Sequence, residues 1–128
     1  MPIIDNAELE KHELPGLRHR TIGGHKQGVK SMEVWSQTIA PRSATPVHRH
    51  ACEEVILILS GVGTCTIDGE IHTFGPDSTL IIAPDAVHQI VNTSDEEMHL
   101  VAALGMSPVR VQSGDGAAIP LPWDAPAN

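Results

Sequence analysis

Two histidines and a glutamate, His48, His50 and Glu54, are the residues of this chain whose types and spacing most clearly suggest chemistry. Side chains alternate between the two faces of a β-strand, so residues separated by two or four positions share a face. The three side chains can therefore converge on one ion. Two imidazoles and a carboxylate suit Zn²⁺, and also Fe²⁺, Mn²⁺, Ni²⁺ or Cu²⁺. A fourth candidate ligand is His88, about forty residues later.

The simplest alternative is that the His48-x-His50 pair is ordinary polar surface, as it usually is in a loop. Here the pair directly precedes a strongly apolar segment, Val55 to Leu59. A carboxylate such as Glu54 that enters an apolar strand needs a partner, because an unpaired buried charge is costly. This context favours metal binding over the surface interpretation.

Length and charge narrow the class of protein. The 128 residues suit a single domain, and 41% of them are hydrophobic, which is enough for a core. The net charge of −8 argues against nucleic acid and against anionic membrane surfaces as partners. No apolar run approaches the roughly 20 residues of a membrane span, and residues 1–6 lack the features of a signal peptide. We therefore expect a soluble cytoplasmic protein in which Cys52 and Cys65 are buried, reduced thiols.

Short apolar segments separated by Gly, Pro and Asp turns predict an all-β chain, either an antiparallel sandwich or a small barrel. We expect residues 1–29 to be an irregular arm with a short extended piece at 17–22, residues 30–104 to be the barrel core, and residues 105–128 to be a tail. Within the core the pattern predicts strands at 30–40, 48–59, 79–83, 87–92 and 98–104, and a hairpin at 63–74. The turn of that hairpin is Asp68-Gly69, a strong two-residue signal.

The segment from Val55 to Leu59 is apolar on both faces. Ile56 and Ile58 share the parity of Glu54 and should face the interior, which leaves Val55, Leu57 and Leu59 outside. A strand that is apolar on both sides is usually covered on both sides. We therefore expect a second subunit to cover the outer side, giving a homodimer.

The metal-ligand pattern resembles the two motifs of the cupin superfamily. The first motif is His48-x-His50, three residues, Glu54, six residues and Gly61, and the second is represented by Gly75, Pro84, His88 and Asn92. The resemblance implies a single-domain cupin, a jelly-roll barrel with a bound metal. It does not identify a reaction, because this fold hosts many functions.

A closer resemblance covers most of the chain from about Leu17. Segments 33–38, 45–55, 85–89 and 122–124 look like the plant auxin-binding proteins. That resemblance implies a dimer with zinc on His48, His50, Glu54 and His88, and a small carboxylate ligand that meets the zinc. By position it implies a ligand pocket lined by Trp35, Gln37, Thr45, Pro46, Ile56 and Trp123.

This chain departs from the plant proteins in two ways. Ile56 stands where they have an aromatic ring, so one wall of the pocket should be thinner. Their secretory signal, terminal cysteine pair and retention tail have no counterpart here, which suggests a cytoplasmic relative whose ligand need not be auxin.

Two functions from different classes remain. One is a metal-anchored receptor or carrier for a small aromatic carboxylate, with no catalytic residue. It is favoured because no acid–base residue other than the metal ligands falls clearly on the inward parity of the main strands. The other is an enzyme, in which Fe²⁺ or Mn²⁺ on the same residues binds a chelating substrate and activates oxygen, as in cupin dioxygenases. A third possibility is that the metal mainly stabilises the barrel.

Overall fold

The computed structural model describes residues 2–124, and within this range the chain forms two six-stranded antiparallel sheets. The first sheet has the order β1-β2-β3-β10-β5-β8 and the second has the order β12-β11-β4-β9-β6-β7. The strands are β1 (His12–Leu14), β2 (Leu17–Gly23), β3 (Glu33–Ile39), β4 (His48–Arg49), β5 (Glu54–Ser60), β6 (Gly63–Ile67), β7 (Glu70–Phe74), β8 (Ser78–Ile82), β9 (His88–Asn92), β10 (Met98–Leu104), β11 (Val111–Ser113) and β12 (Ala118–Ile119). Short 3-10 helices lie at Asn6–Glu8, His25–Gln27 and Pro122–Asp124. The predicted all-β fold is confirmed.

Strand β5 shows how the hydrophobic pattern determines the interior. It lies between β10 and β8, and every second side chain along it is buried. Ile56 and Ile58 are each 1% exposed, whereas Val55 is 38% and Leu57 is 44% exposed. The predicted inward and outward faces are therefore correct, and the inward face carries Glu54 into the core.

Two turns hold neighbouring strands in register. Asp68 (φ 47°) and Gly69 (φ 87°) form the predicted two-residue turn between β6 and β7. Positive φ at both central residues gives a turn whose twist matches that of the strands. Gly61 follows β5 with φ 112°, and a Cβ atom there would come within 2.9 Å of the Met98 side chain. A glycine is therefore needed at the end of the strand that begins with Glu54.

Both sheets extend beyond the expected core of residues 30–104. The extended piece expected at 17–22 is strand β2, which pairs with β3 along its length. The tail contributes β11, which pairs with β4, and β12, which pairs with β11. These tail strands have two or three residues, too few to produce a recognisable alternation. Segments outside the expected core thus help to build the wall around Glu54 and its neighbours.

Cys52 and Cys65 are both buried and form no disulfide, as expected. None of the helices in residues 2–124 is long and apolar enough to cross a membrane.

Candidate metal centre and adjoining cavity

The four predicted ligands come from four places in the fold and meet at one point. His48 lies in β4 and is paired with His88, the first residue of β9. His50 follows β4, and Glu54 begins β5. One ligand atom from each residue lies within 4.8 Å of all the others. His50, Glu54 and His88 are buried, and His48 is half-buried.

Backbone carbonyls fix the orientation of all three imidazoles. In each ring Nδ1 donates to a carbonyl oxygen. The acceptor is Pro46 for His48 at 2.7 Å and Arg110 for His50 at 3.1 Å. For His88 the acceptor is Ala86 at 2.8 Å. A carbonyl oxygen only accepts, so each Nδ1 carries the hydrogen and each neutral ring keeps its lone pair on Nε2. This arrangement is typical of metal-binding histidines, whose second nitrogen is held by an acceptor.

The inward-facing atoms of this cluster have no hydrogen-bond partner among the described residues. They are Nε2 of His50, Nε2 of His88 and Oε1 of Glu54. Oε1 of Glu54 lies 3.2 Å from Nε2 of His88 and 3.6 Å from Nε2 of His50. Ligands about 2.1 Å from a tetrahedral ion would lie about 3.4 Å apart. The cluster therefore fits a divalent metal, which would satisfy buried lone pairs that otherwise repel one another.

The electrostatics of the cluster also favour a cation. Burial, together with the neighbouring His88, lowers the pKa of His48 to about 4. Burial lowers the pKa of His50 as well. Burial also acts to lower the pKa of His88, but the adjacent Glu54 carboxylate outweighs it and the net direction is upward. The lowered pKa values favour neutral imidazoles at His48 and His50, the state in which histidine binds a metal. At His88 the Glu54 carboxylate favours a positive charge beside Nε2, either a proton or a metal ion.

Loop contacts position two of the ligands. The backbone N–H of Asp85 donates to the carbonyl oxygen of His50 at 2.7 Å. Val87, the residue before His88, forms two hydrogen bonds with Asp68. The Val87 N–H donates to Oδ1 of Asp68 at 2.9 Å, and the Asp68 N–H donates to the Val87 carbonyl oxygen at 2.8 Å. The β6–β7 turn thus fixes the start of β9 and with it His88.

A cavity of about 520 Å³ opens directly from the metal cluster. All six residues predicted to line a ligand pocket lie on its wall: Trp35, Gln37, Thr45, Pro46, Ile56 and Trp123. Their role in ligand binding stays a prediction. The wall is otherwise mostly apolar, with Ile90 and Leu100 from the core strands.

Sequence reasoning missed part of this wall. Leu14 and Leu17 come from the N-terminal strands, and Ile119 and Leu121 come from the tail. The alternation of Leu17 with buried His19 along β2 was the signal that could have placed this strand against the cavity. The tail offered no comparable signal, because its strands are very short.

The ring of Trp123 completes the cavity on the tail side. Its indole is 5% exposed, and it lies against Trp35 with ring centroids 5.4 Å apart at an angle of 77°. It stacks on His19 with centroids 3.4 Å apart and planes within 10°. These ring contacts therefore place two indoles beside the space beyond the metal cluster.

Comparison with known proteins identifies the family of this chain and agrees with its fold. The family model described as "Auxin binding protein" matches residues 2–122. The chain belongs to this family. Auxin-binding protein T85 of Nicotiana tabacum is 37% identical over 136 aligned positions, which cover 94% of this chain and 72% of the tobacco protein. Auxin-binding protein 1 of Arabidopsis thaliana is 34% identical over 125 positions, covering 87% of this chain and 63% of the plant protein.

A solved structure supports the architecture independently of sequence. A sugar phosphate isomerase of the cupin superfamily from Silicibacter pomeroyi superposes with a TM-score of 0.73 at 18% identity. The match covers 99% of this chain and 97% of the isomerase. At this identity the likeness establishes the fold alone. This member of the auxin-binding protein family therefore has the fold of the cupin isomerase and a cluster of residues that fits a metal. It spans about two thirds of the plant relatives it matches.

Proposed function

We propose that this protein binds a small aromatic carboxylate through a zinc ion held by His48, His50, Glu54 and His88. The observation that carries the proposal is that the four ligand atoms converge at the edge of one largely apolar cavity. A cation at one end and an apolar wall at the other suit a ligand with a carboxylate on a hydrophobic ring.

The charge of the metal site favours a ligand with a carboxylate. Three neutral imidazoles and one carboxylate leave a divalent ion with a net positive charge, and zinc can expand from four to five ligands. An anionic oxygen would then be favoured over water in a cavity with a low dielectric constant. The polar side chains elsewhere on the wall, Gln37, Thr45 and Gln89, carry no charge that would compete for the anion.

The aromatic ring follows from the shape and composition of the wall. Trp35 and Trp123 lie edge to face, 5.4 Å apart, and Leu100 and Ile56 come from β10 and β5, the next two strands after the Trp35 strand in the first sheet. Indole rings favour flat partners in stacked or edge-to-face contact. The cavity volume of about 520 Å³ is within the usual range for small-molecule sites.

Zinc is proposed because the ligand set has three imidazoles and a fixed geometry, which suit this ion. The same ligand set also suits Fe²⁺ or Mn²⁺, which would support the oxygenase alternative. Metal analysis of protein from its native host, together with oxygen consumption by iron-loaded protein in the presence of an aromatic carboxylate, distinguishes the two functions.

The outer face of the first sheet supports a homodimer as part of this proposal. Val55, Leu57 and Leu59 of β5 and Ile81 of β8 are adjacent, apolar and exposed, and Ile81 is 73% exposed. A contiguous apolar surface on neighbouring strands is unusual on a monomer. A second copy of the chain would cover it.

Calorimetric titration of the zinc-loaded protein with indole-3-acetic acid tests the proposed function. We expect saturable binding that disappears in His88→Ala and with the methyl ester of the same acid. Equal binding of the acid and the ester would contradict anchoring by the metal. No binding of the acid, of phenylacetate or of benzoate would reject the proposed ligand class.

A further inference from the structure

His19 lies behind the cavity wall and contacts three of the residues proposed to bind ligand. Its ring stacks on Trp123 at 3.4 Å and meets the edge of Trp35 at 4.9 Å. Its Nδ1 lies 3.0 Å from Nε2 of Gln37. The side chain is 1% exposed, so His19 touches this corner of the site without lining the cavity itself.

The hydrogen bonds of His19 determine its tautomer. The amide nitrogen of Gln37 can only donate, so Nδ1 of His19 must accept and carries no hydrogen. Burial lowers the pKa of His19 to about 3, with a further contribution from His12, so the ring is neutral near pH 7. The hydrogen is therefore on Nε2, which donates to Oγ1 of Thr21 at 2.8 Å. Each polar atom of the imidazole has one partner.

The same bond fixes the orientation of the Gln37 amide. With its NH₂ group turned towards His19, the amide presents its oxygen on the other side. Gln37 is half-buried and lies on the cavity wall. Among residues 2–124, the hydrogen bonds of the Gln37 side chain include the one to His19 and none to Oε1. The amide oxygen is thus an acceptor available to a molecule in the cavity.

We propose that His19 is a positioning residue that fixes the Gln37 amide with its oxygen towards the cavity, and that the ligand accordingly carries an N–H or O–H donor in addition to its carboxylate. The proposal rests on the proposed function for the carboxylate part. It adds a second polar contact, away from the metal, that would select among aromatic carboxylates. In this arrangement Oγ1 of Thr21 accepts the hydrogen bond from Nε2 of His19.

Nitrogen NMR of the zinc-loaded protein tests, without any ligand, whether His19 orients the Gln37 amide. We expect the His19 ring to be the neutral Nε2–H tautomer, and we expect its Nδ1 resonance to shift in Gln37→Met, where the donor is lost. Gln37 lies on the cavity wall, so this variant leaves the core packing in place. An Nδ1–H tautomer in the wild-type protein would overturn the proposal, because the amide would then face the cavity with its NH₂ group.

Matched pairs of ligands test whether the ligand carries an N–H or O–H donor. Indole-3-acetate is compared with 1-benzothiophene-3-acetate, in which sulfur replaces the N–H, and 4-hydroxyphenylacetate is compared with 4-methylphenylacetate. We expect the donor-bearing member of at least one pair to bind about three- to tenfold more tightly, the usual net effect of one hydrogen bond. Ratios close to one in both pairs would overturn the donor requirement while leaving the proposed function intact. Failure of all four to bind would reject both proposals.

Two substitutions of His19 separate positioning from packing. Asn and Leu both lose the ring that stacks on Trp123, but Asn keeps an oxygen close to the position of Nδ1 and Leu does not. We expect His19→Asn to retain the preference for the donor-bearing ligand and His19→Leu to lose it, with the zinc stoichiometry unchanged in both. Equal ligand ratios in the two variants would contradict the positioning role. If neither His19 variant folds, the matched ligands are compared in Gln37→Met. A preference for the donor-bearing ligand that survives in Gln37→Met would exclude Gln37 as the acceptor.

Discussion

Nε2 of His88 and Oε1 of Glu54 lie 3.2 Å apart in the interior, and neither atom has a hydrogen-bond partner among the described residues. When the His88 ring is neutral, its Nδ1 carries the hydrogen and donates to a carbonyl oxygen, so the two facing atoms both present lone pairs. Such a contact is unfavourable unless a cation lies between them. The predictions about metal binding start from this pair.

Loss of one imidazole ligand should abolish tight metal binding. We expect His50→Ala and His88→Ala each to lower zinc affinity at least about a hundredfold. Loss of a residue that only holds a metal ligand already costs about ten- to a hundredfold in metal affinity, and loss of the ligand itself should cost more. Competition with a coloured chelator measures the change. His72→Ala, at an exposed position outside the cluster, is the matched control and should bind zinc as the wild-type protein does. Unchanged affinity in both ligand variants would reject the site.

The β6–β7 turn should affect the metal without touching it. Asp68 holds Val87 through its carboxylate, so Asp68→Gly removes that acceptor while tolerating the positive φ of the turn. We expect zinc affinity to fall about tenfold, the lower end of the range for residues that orient metal ligands. Asp68→Asn keeps the acceptor oxygen and should restore the affinity. Identical losses in the two variants would show that the contact does not position His88.

The buried imidazole of His19 should make the protein sensitive to acid. Its pKa of about 3 is lowered from 6.5, so the unfolded chain binds this proton more readily than the folded protein does. Stability from this group is fully present above pH 6.5 and is lost as the pH falls towards 3. Between pH 7 and 5.5 the loss is about 1 kcal/mol. Urea unfolding of the zinc-loaded protein at pH 7 and pH 5.5 measures this change in the free energy of unfolding. We expect the free energy of unfolding of His19→Asn to fall by correspondingly less over the same pH range. A fall equal to that of the wild-type protein would contradict the burial effect.

The exposed face of β5 and β8 should be a subunit interface. We expect size-exclusion chromatography with light scattering to give the mass of a dimer, and we expect Leu57→Glu to give a folded monomer because a charge would be buried there. Glu53→Gln, beside the same strand but already polar and exposed, should leave the mass unchanged. A wild-type protein that is monomeric at all concentrations would refute the dimer.

The strands of the core could be predicted because their patterns are long and regular. The interval 98–104 predicted from sequence coincides with β10, and Asp68-Gly69 forms the expected turn. The four metal ligands could be proposed from their types and spacing and from the cost of a buried Glu54. Parity along one strand was the wrong reason, because the strand predicted over 48–59 is interrupted, and His48 in β4 and Glu54 in β5 belong to different sheets. The extended piece at 17–22 could be predicted, and it is strand β2. The contribution of the tail could not be predicted because its strands are very short, and the burial of His19 could not because it depends on Gln37 and Trp123, which are distant in sequence.

Some expectations depend on properties that the arrangement of side chains does not determine. Three imidazoles and a carboxylate accept several divalent ions, so zinc stays a prediction. The aromatic carboxylate, the homodimer and the cytoplasmic location also stay predictions, since each depends on a partner or a compartment outside the chain.

Cobalt substitution tests the central claim most directly, because the visible absorption of Co²⁺ reports on its ligands. In protein whose zinc has been replaced by cobalt, we predict that indole-3-acetic acid changes the visible spectrum saturably, with the same midpoint as calorimetric binding. The methyl ester should leave the spectrum unchanged. Saturable binding of the acid with an unaltered cobalt spectrum would contradict the account, because the carboxylate would then be bound away from His48, His50, Glu54 and His88.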